Sequence, residues 1–240
     1  MYTLVTGATS DIGMKICEVL ANSGHLLLLS DLSENSLKEV ISRLPGSDSH
    51  KYIPVDLSDY DGAKSTFEEF LRSESIQIIG VVFAAGIFSV KPLRIVDYPF
   101  LKKSFDIALF SMFGMMQVLT SKKYNQNALK SVVMVSSISA KMGTRGYSVY
   151  GALKSSMLGM MRSLAVELAP NIRVNAILPG GIRTRTTNFI YENMEAPDPR
   201  YLLGEGTPLN IANVIKFLLS DDAGWVTGQE FVVDGGLSIN

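Results

Sequence analysis

Seven short apolar runs recur along the chain: "YTLV", "HLLLLS", "KYIPV", "IIGVVFAA", "SVVMVS", "IRVNAIL" and "EFVVD". Most stay hydrophobic throughout instead of alternating, which is the pattern of strands covered on both faces. Between them, apolar residues return every three to four positions and predict helices at 12–22, 36–44, 60–73, 100–120, 149–168 and 209–220. Such β-α-β alternation implies an α/β fold with a largely parallel sheet of about seven strands, right-handed crossovers and helices on both faces, in other words a doubly wound one. One segment, 179–208, follows neither period. A long irregular segment in a compact domain often forms a lid, and a substrate lid is expected at about 183–206.

Composition narrows the function. With 240 residues, 47% of them hydrophobic, the chain can bury one sizeable core, so a single domain over 1–240 is expected. Lys and Arg number 22 against 23 Asp and Glu, a net charge of −1, which provides no field for nucleic acid or an acidic membrane. A single cysteine, Cys17, excludes an intrachain disulfide and a cysteine-based zinc cluster, and reads as a small buried hydrophobe. His25 and His50 each precede a predicted strand and lie far apart, so no metal site is expected. The start, "MYTLVTGAT", shows no charged segment followed by an apolar stretch. The longest apolar run, "IIGVVFAAGIF", is short and broken by glycine, and a soluble cytoplasmic protein is expected.

Three stretches carry candidate chemistry. The first strand runs into "TGATSDIG" and then a helix; Gly7 permits the tight turn, Gly13 lets the helix approach the sheet, and the N–H groups at the helix start favour a pyrophosphate. Asp31, at the end of the second strand, can accept hydrogen bonds from both adenosine ribose hydroxyls, or it is a turn residue ahead of a helix cap near Ser33. "YSVYGALKSS" places Tyr150 and Lys154 four apart, on one face of a helix.

Together with "VDL" (55–57), "AAG" (84–86), "VSS" (135–137), "RVNAILPGGIRT" (173–184) and "TGQEFVVDGG" (227–236), these stretches resemble the short-chain dehydrogenase/reductases in order and spacing, from the glycine loop to the C-terminus. The general look is nearest to the 3-oxoacyl-acyl-carrier-protein reductases. The resemblance implies a single Rossmann-type domain and an enzyme that transfers hydride between NAD(P) and a secondary alcohol or carbonyl. It makes Tyr150 the general acid or base, Ser137 the residue that orients the substrate oxygen, and Lys154 the group that lowers the Tyr150 pKa and binds the nicotinamide ribose. Thr9, Ser10, Asp11 and Ile12 would join Gly7 and Gly13 around the pyrophosphate, and Asp56, Leu57, Ala84, Ala85 and Gly86 would flank the adenine and ribose. Pro179, Gly180, Ile182 and Thr184 would lie beside the nicotinamide, and Thr144, Tyr147 and Gly181 would complete the substrate pocket with Ser137. The methionine-rich helices around "FSMFGMMQVL" and "SSMLGMMRSL" correspond to subunit interfaces, which implies a homodimer or homotetramer.

The chain also departs from the family pattern. Ala108 stands where an asparagine usually kinks the helix and holds a relay water; Ser111 is an alternative anchor for that water or a packing residue. Asp11 replaces the middle glycine of the loop, where a carboxylate is unfavourable beside a pyrophosphate unless it points away or caps the helix. Phe83 and Ala84 replace two frequent asparagines. The Asp31 carboxylate repels a 2′-phosphate and no cation follows it, which favours NAD over NADP, although Lys15 and Ser10 keep NADP open. The substrate stays open among a generic small alcohol, a 3-oxoacyl thioester and, on the strength of Arg183, Arg185 and Arg200 in the lid, a carbohydrate or nucleotide sugar. A non-catalytic dinucleotide-binding regulator is the alternative of a different class.

Overall fold

The computed structural model describes residues 1–192 and 198–240. Its strands are β1 (Tyr2–Thr6), β2 (Leu27–Asp31), β3 (Lys51–Pro54), β4 (Ile78–Phe83), β5 (Ser131–Val135), β6 (Arg173–Pro179) and β7 (Glu230–Val233). All pair in parallel in the order β3-β2-β1-β4-β5-β6-β7. The chain builds outward from β1 to β3, returns to the middle at β4, and builds the other way. That reversal opens a crevice beyond the carboxyl ends of β1 and β4.

Successive residues of β1 explain the continuous apolar runs. Leu4 packs into one core layer with Leu28, Val81 and Val132, while Val5 packs into the other with Leu29, Val82 and Val133. Each strand is sandwiched, so polar positions inside it have no water to face. The helices are α1 (Asp11–Asn22), α2 (Glu34–Ser42), α3 (Tyr60–Glu74), α4 (Tyr98–Phe105), α5 (Ser111–Leu119), α6 (Lys122–Asn125), α7 (Ser148–Glu167), α8 (Asn188–Tyr191) and α9 (Pro208–Leu219). Side chains start several of them: Ser10, Ser33, Asp59 and Asp97 each accept a hydrogen bond from the backbone three residues on.

The single helix expected over 100–120 is instead two, because a π-helical turn, Asp106–Phe110, interrupts it. Within that turn the Ser111 N–H bonds the Asp106 carbonyl, and the Ser111 hydroxyl donates to the Ile107 carbonyl at 2.7 Å. The break therefore forms with Ala108 in the asparagine's place. Ser111 is committed to the helix backbone, as a packing residue would be. The segment 179–208 is less irregular than its sequence suggests, since it contains α8 and a bridge between Ile182 and Gly206. Part of the expected lid, residues 193–197, lies outside the described residues.

Cys17 is fully buried, and burial pushes its thiol pKa up. His50 is turned inward, its Nδ1 accepting from the Leu27 N–H at 3.2 Å. Among the described residues no cluster of three candidate metal ligands occurs and no helix is long and apolar enough to cross a membrane. Met112, Met115, Met116, Met157, Met160 and Met161 are core residues, whereas Phe110 and Phe113 are each 44% exposed.

Candidate active site

The loop between β1 and α1 is shaped by contacts within the chain. Gly7 has φ +67°, and a Cβ there would lie 2.8 Å from the Ala85 backbone; at Gly13 a Cβ would meet the Gly7 carbonyl oxygen at 2.0 Å. Only glycine allows the β1 turn to lie against the β4 turn and α1 to lie against both. Phe83 goes into the core, and the polar support its neighbours lack comes from Thr6, whose hydroxyl accepts the Ala85 N–H at 3.2 Å. Ser10 caps α1, accepting from the Gly13 N–H at 3.0 Å. Asp31 is tied to this loop: one carboxylate oxygen accepts from the Thr9 N–H at 3.0 Å and from its hydroxyl at 2.7 Å. Asp11 neither caps the helix nor faces solvent alone. It accepts hydrogen bonds from the backbone N–H and the Nε of Arg185, whose Nη2 also reaches the Thr9 carbonyl at 3.1 Å. A lid arginine thus balances the carboxylate that stands in the glycine's position.

Ser137 sits at the end of β5 and Tyr150 and Lys154 one turn apart on α7. The small residues of "YGALK" let the helix come close: a Cβ on Gly151 would lie 3.0 Å from the Ser139 carbonyl. Ser136 fixes the register by donating to the Lys154 carbonyl at 2.8 Å, so it acts as a structural neighbour of Ser137. Ser137 accepts the Ser139 N–H at 3.1 Å and lies beside the Tyr150 phenol, whose pKa it lowers. Lys154, 5% exposed, donates from Nζ to the Val135 carbonyl at 2.8 Å and lies 5.7 Å from the Tyr150 ring centre.

The pKa shifts depart from the expectation that Lys154 lowers the phenol. Burial pushes Tyr150 up to about 12, with neighbouring Ser137 acting less strongly the other way. Burial lowers Lys154 to about 8. Desolvation penalises the charged form of each group, so in the protein alone each is pushed toward its neutral form. Ala108 does face this corner: a Cβ on Gly86 would lie 3.6 Å from Lys154 Nζ and 3.8 Å from the Ala108 methyl, which offers no hydrogen bond.

These groups line a cleft of about 380 Å³. It gathers Ser10, Asp11, Ile12, Ala84 and Gly86 with Ser137, Thr144, Tyr147, Tyr150 and Lys154, and with Pro179, Gly180, Gly181, Ile182 and Thr184. Gly7, Thr9, Gly13, Asp31, Asp56, Leu57 and Ala85 lie outside its lining. Leu57 is in the core, and the Asp56 carboxylate accepts from its own neighbour Ser58, which lowers its pKa. The cleft also contains residues that sequence patterns did not single out. Phe88 makes edge contacts with Tyr147 and Tyr150 at 5.6 and 5.2 Å, and Tyr191, Asp198, Tyr201 and Glu205 come from the lid. The three lid arginines are each paired: Arg183 with Glu205 at 3.9 Å, Arg185 with Asp11, and Arg200 with Asp198 at 2.7 Å.

Residues 7–238 match a family model described as enoyl-(acyl carrier protein) reductase. The cyclopentanol dehydrogenase of Comamonas testosteroni is 32% identical over 99% of this chain and 96% of its own length. The 3-oxoacyl-[acyl-carrier-protein] reductase of Thermotoga maritima is 33% identical over 98% and 97%. Among solved structures, a short-chain dehydrogenase/reductase of the glucose/ribitol dehydrogenase type from Brucella melitensis superposes with a TM-score of 0.88 at 32% identity, covering 100% of this chain and 97% of that one. A 4-hydroxyisoleucine dehydrogenase mutant complexed with NADH and succinate gives 0.90 at 27% identity, covering 100% and 99%.

Proposed function

Because the chain belongs to the short-chain dehydrogenase/reductase family, we propose that it is an NAD(P)-dependent oxidoreductase interconverting a secondary alcohol and its carbonyl compound, with Tyr150 moving the proton. The observation that carries this reading is the convergence of Ser137, Tyr150 and a buried Lys154 in one cleft at the sheet's reversal. The site suits a dinucleotide. Glycines at Gly7 and Gly13 fill spaces no side chain could share, and Ser10 and Ile12 bring the start of α1 to the same cleft as Gly180 and Thr184. Ser10, Ile12, Asp31, Gly86, Lys154, Gly180, Ile182 and Thr184 would hold it. When bound, the nicotinamide supplies or accepts the hydride.

The protein's part is to handle the oxygen and its proton. Ser137 holds the carbonyl or hydroxyl oxygen, and Tyr150, kept neutral by burial, is an acid able to protonate an alkoxide as charge develops there. In the oxidation direction Tyr150 must lose its proton, and the Lys154 ammonium and a positive nicotinamide ring both favour that. NAD is the preferred dinucleotide, since Leu32 follows Asp31 and brings no cation to a 2′-phosphate. Tighter binding of NADP than NAD in titrations of the unmodified protein would overturn this choice. The exposed Phe110 and Phe113 suit a homodimer or homotetramer face, which a monomeric mass in sedimentation would exclude. A reduced, buried Cys17 suits the cytoplasm, and cell fractionation tests that placement.

The deciding experiment follows nicotinamide absorbance across small alcohols, sugars and acyl thioesters. Turnover confined to a 3-oxoacyl thioester would replace the small-alcohol reading with an acyl-carrier reductase. NAD binding without turnover of any of them would favour the regulator.

A further inference from the structure

Two lid tyrosines reach the end of β6 from different stretches of chain, Tyr191 from α8 and Tyr201 from the segment after it. A Cβ placed on Gly181 would lie 2.1 Å from the Tyr201 hydroxyl oxygen and 2.7 Å from that of Tyr191, so both phenols converge on a point where only glycine fits. The Gly181 N–H donates to the Tyr201 oxygen at 2.9 Å, which fixes that phenol and leaves its own O–H to donate elsewhere. The Tyr191 hydroxyl makes no hydrogen bond to a described residue. Burial raises the pKa of both, that of Tyr191 to about 12, and each stays a neutral donor and acceptor at physiological pH.

Both rings line the same cleft as Ser137 and Tyr150. The charges nearby are balanced. Arg183 lies 5.6 Å from the Tyr191 ring centre and pairs with Glu205, and Arg200 pairs with Asp198. Neither arginine is left over to neutralise a carboxylate or phosphate. The remaining walls include Phe88, Met142, Ile190 and Leu237, which suit a carbon frame.

On the assumption that Ser137 and Tyr150 turn the substrate over, we propose that the Tyr191 and Tyr201 hydroxyls form a second polar anchor. They select an uncharged substrate that bears one further hydroxyl or keto oxygen besides the reacting one: a neutral diol or hydroxyketone on a small apolar frame. An acyl thioester tethered to a charged carrier, or a sugar phosphate, lacks a counter-charge here. A neutral hydroxyl gains two partners that switch between donor and acceptor as needed.

The test compares 3-hydroxy-2-butanone with 2-butanone, and cyclopentane-1,2-diol with cyclopentanol, in the unmodified protein and in Tyr191→Phe and Tyr201→Phe. The expected result is a preference for the hydroxylated member of about tenfold or more in kcat/KM, carried mainly by KM. Each phenylalanine variant should reduce that ratio by roughly fivefold, the range of one neutral hydrogen bond. Calorimetric binding of cyclopentane-1,2-diol and cyclopentanol with NADH present reads the same contrast without turnover, because neither alcohol can accept hydride. Equal treatment of the paired compounds, or a ratio untouched in both variants, overturns the anchor. If Tyr150-dependent turnover persists in that case, the reaction assignment survives. If no compound turns over, the calorimetric contrast alone decides the anchor, and the reaction assignment is what fails.

Discussion

On one wall of the cleft, strand ends and α7 hold Ser137 and Lys154 at 8% and 5% exposure, fixed by the core behind them. On the other, the segment 182–206 holds its arginines through ion pairs whose side chains are largely open to water; that of Arg185 is 71% exposed. The first wall can impose protonation states that water would not allow, because the packing around it over-determines each position. The second is held by pairs worth about 0–1 kcal/mol each, so its shape is adjustable. In the reading proposed above, the chemistry sits on the rigid wall and discrimination between substrates on the other.

The largest expected effect breaks the rigid wall's chemistry without moving it. Tyr150→Phe keeps the ring contacts with Phe88 and Tyr147 but removes the transferable proton. Its kcat should fall by about a thousandfold or more, with the NAD dissociation constant within about twofold of the original. Single-turnover rates with an identified substrate check this, and retained activity would end the assignment.

A medium effect shows what that rigidity costs. Lys154 titrates near 8 in the folded protein, below its ordinary 10.5. Below pH 8 both folded and unfolded chains hold the proton, and the folded one bears the desolvation of a buried ammonium. Between 8 and 10.5 the unfolded chain binds more protons, so stability rises with pH. Above about 10 the raised Tyr150 pKa reverses the slope, so the diagnostic window is pH 8 to 10. Lys154→Met should be more stable than the original by about 1–3 kcal/mol at pH 7, and its denaturation midpoint should stop climbing through that window. An original protein whose midpoint is flat there would contradict the shift.

The smallest effect loosens the join between the walls. Arg185→Ala cuts the tie to Asp11 and Thr9 and leaves the Asp11 carboxylate unbalanced in the loop between β1 and α1. NAD should dissociate roughly two to five times faster, with kcat little changed. Added salt should raise the off-rate of the original protein toward that of the variant. Stopped-flow dissociation at several ionic strengths reads both, and a salt-independent difference would show the tie to be steric.

How much of this was legible in the sequence follows the same division. Sandwiched strands such as "SVVMVS" announce themselves because burial on two faces leaves no polar position. That Tyr150 and Lys154 share a helix face was legible from their spacing, since regular elements convert spacing into geometry, whereas Ser137 joined them only through the family resemblance; the fold brings all three to one cleft. Where an irregular segment puts its side chains depends on distant partners. Asp11 meets Arg185 across 174 residues, and Tyr191 and Tyr201 face inward only because Gly181 leaves them room. Phe88 lies just past β4 in a stretch with no period. The interruption at Asp106–Phe110 was hidden for another reason: one residue added to a turn leaves the apolar pattern nearly intact.

That interruption acts as a rotary joint. One extra residue in a turn rotates everything after it by about 100° relative to everything before. Ala108, inside the turn, keeps its methyl toward Gly86 near Lys154, while Phe110 and Phe113 beyond it are directed outward. Gain or loss of a single codon over 106–110 would turn Met112, Met115 and Met116 out of the core and pull Ala108 from the corner at Gly86, so the length of this turn is locked from two sides, by the packing of α5 and by the surroundings of Lys154.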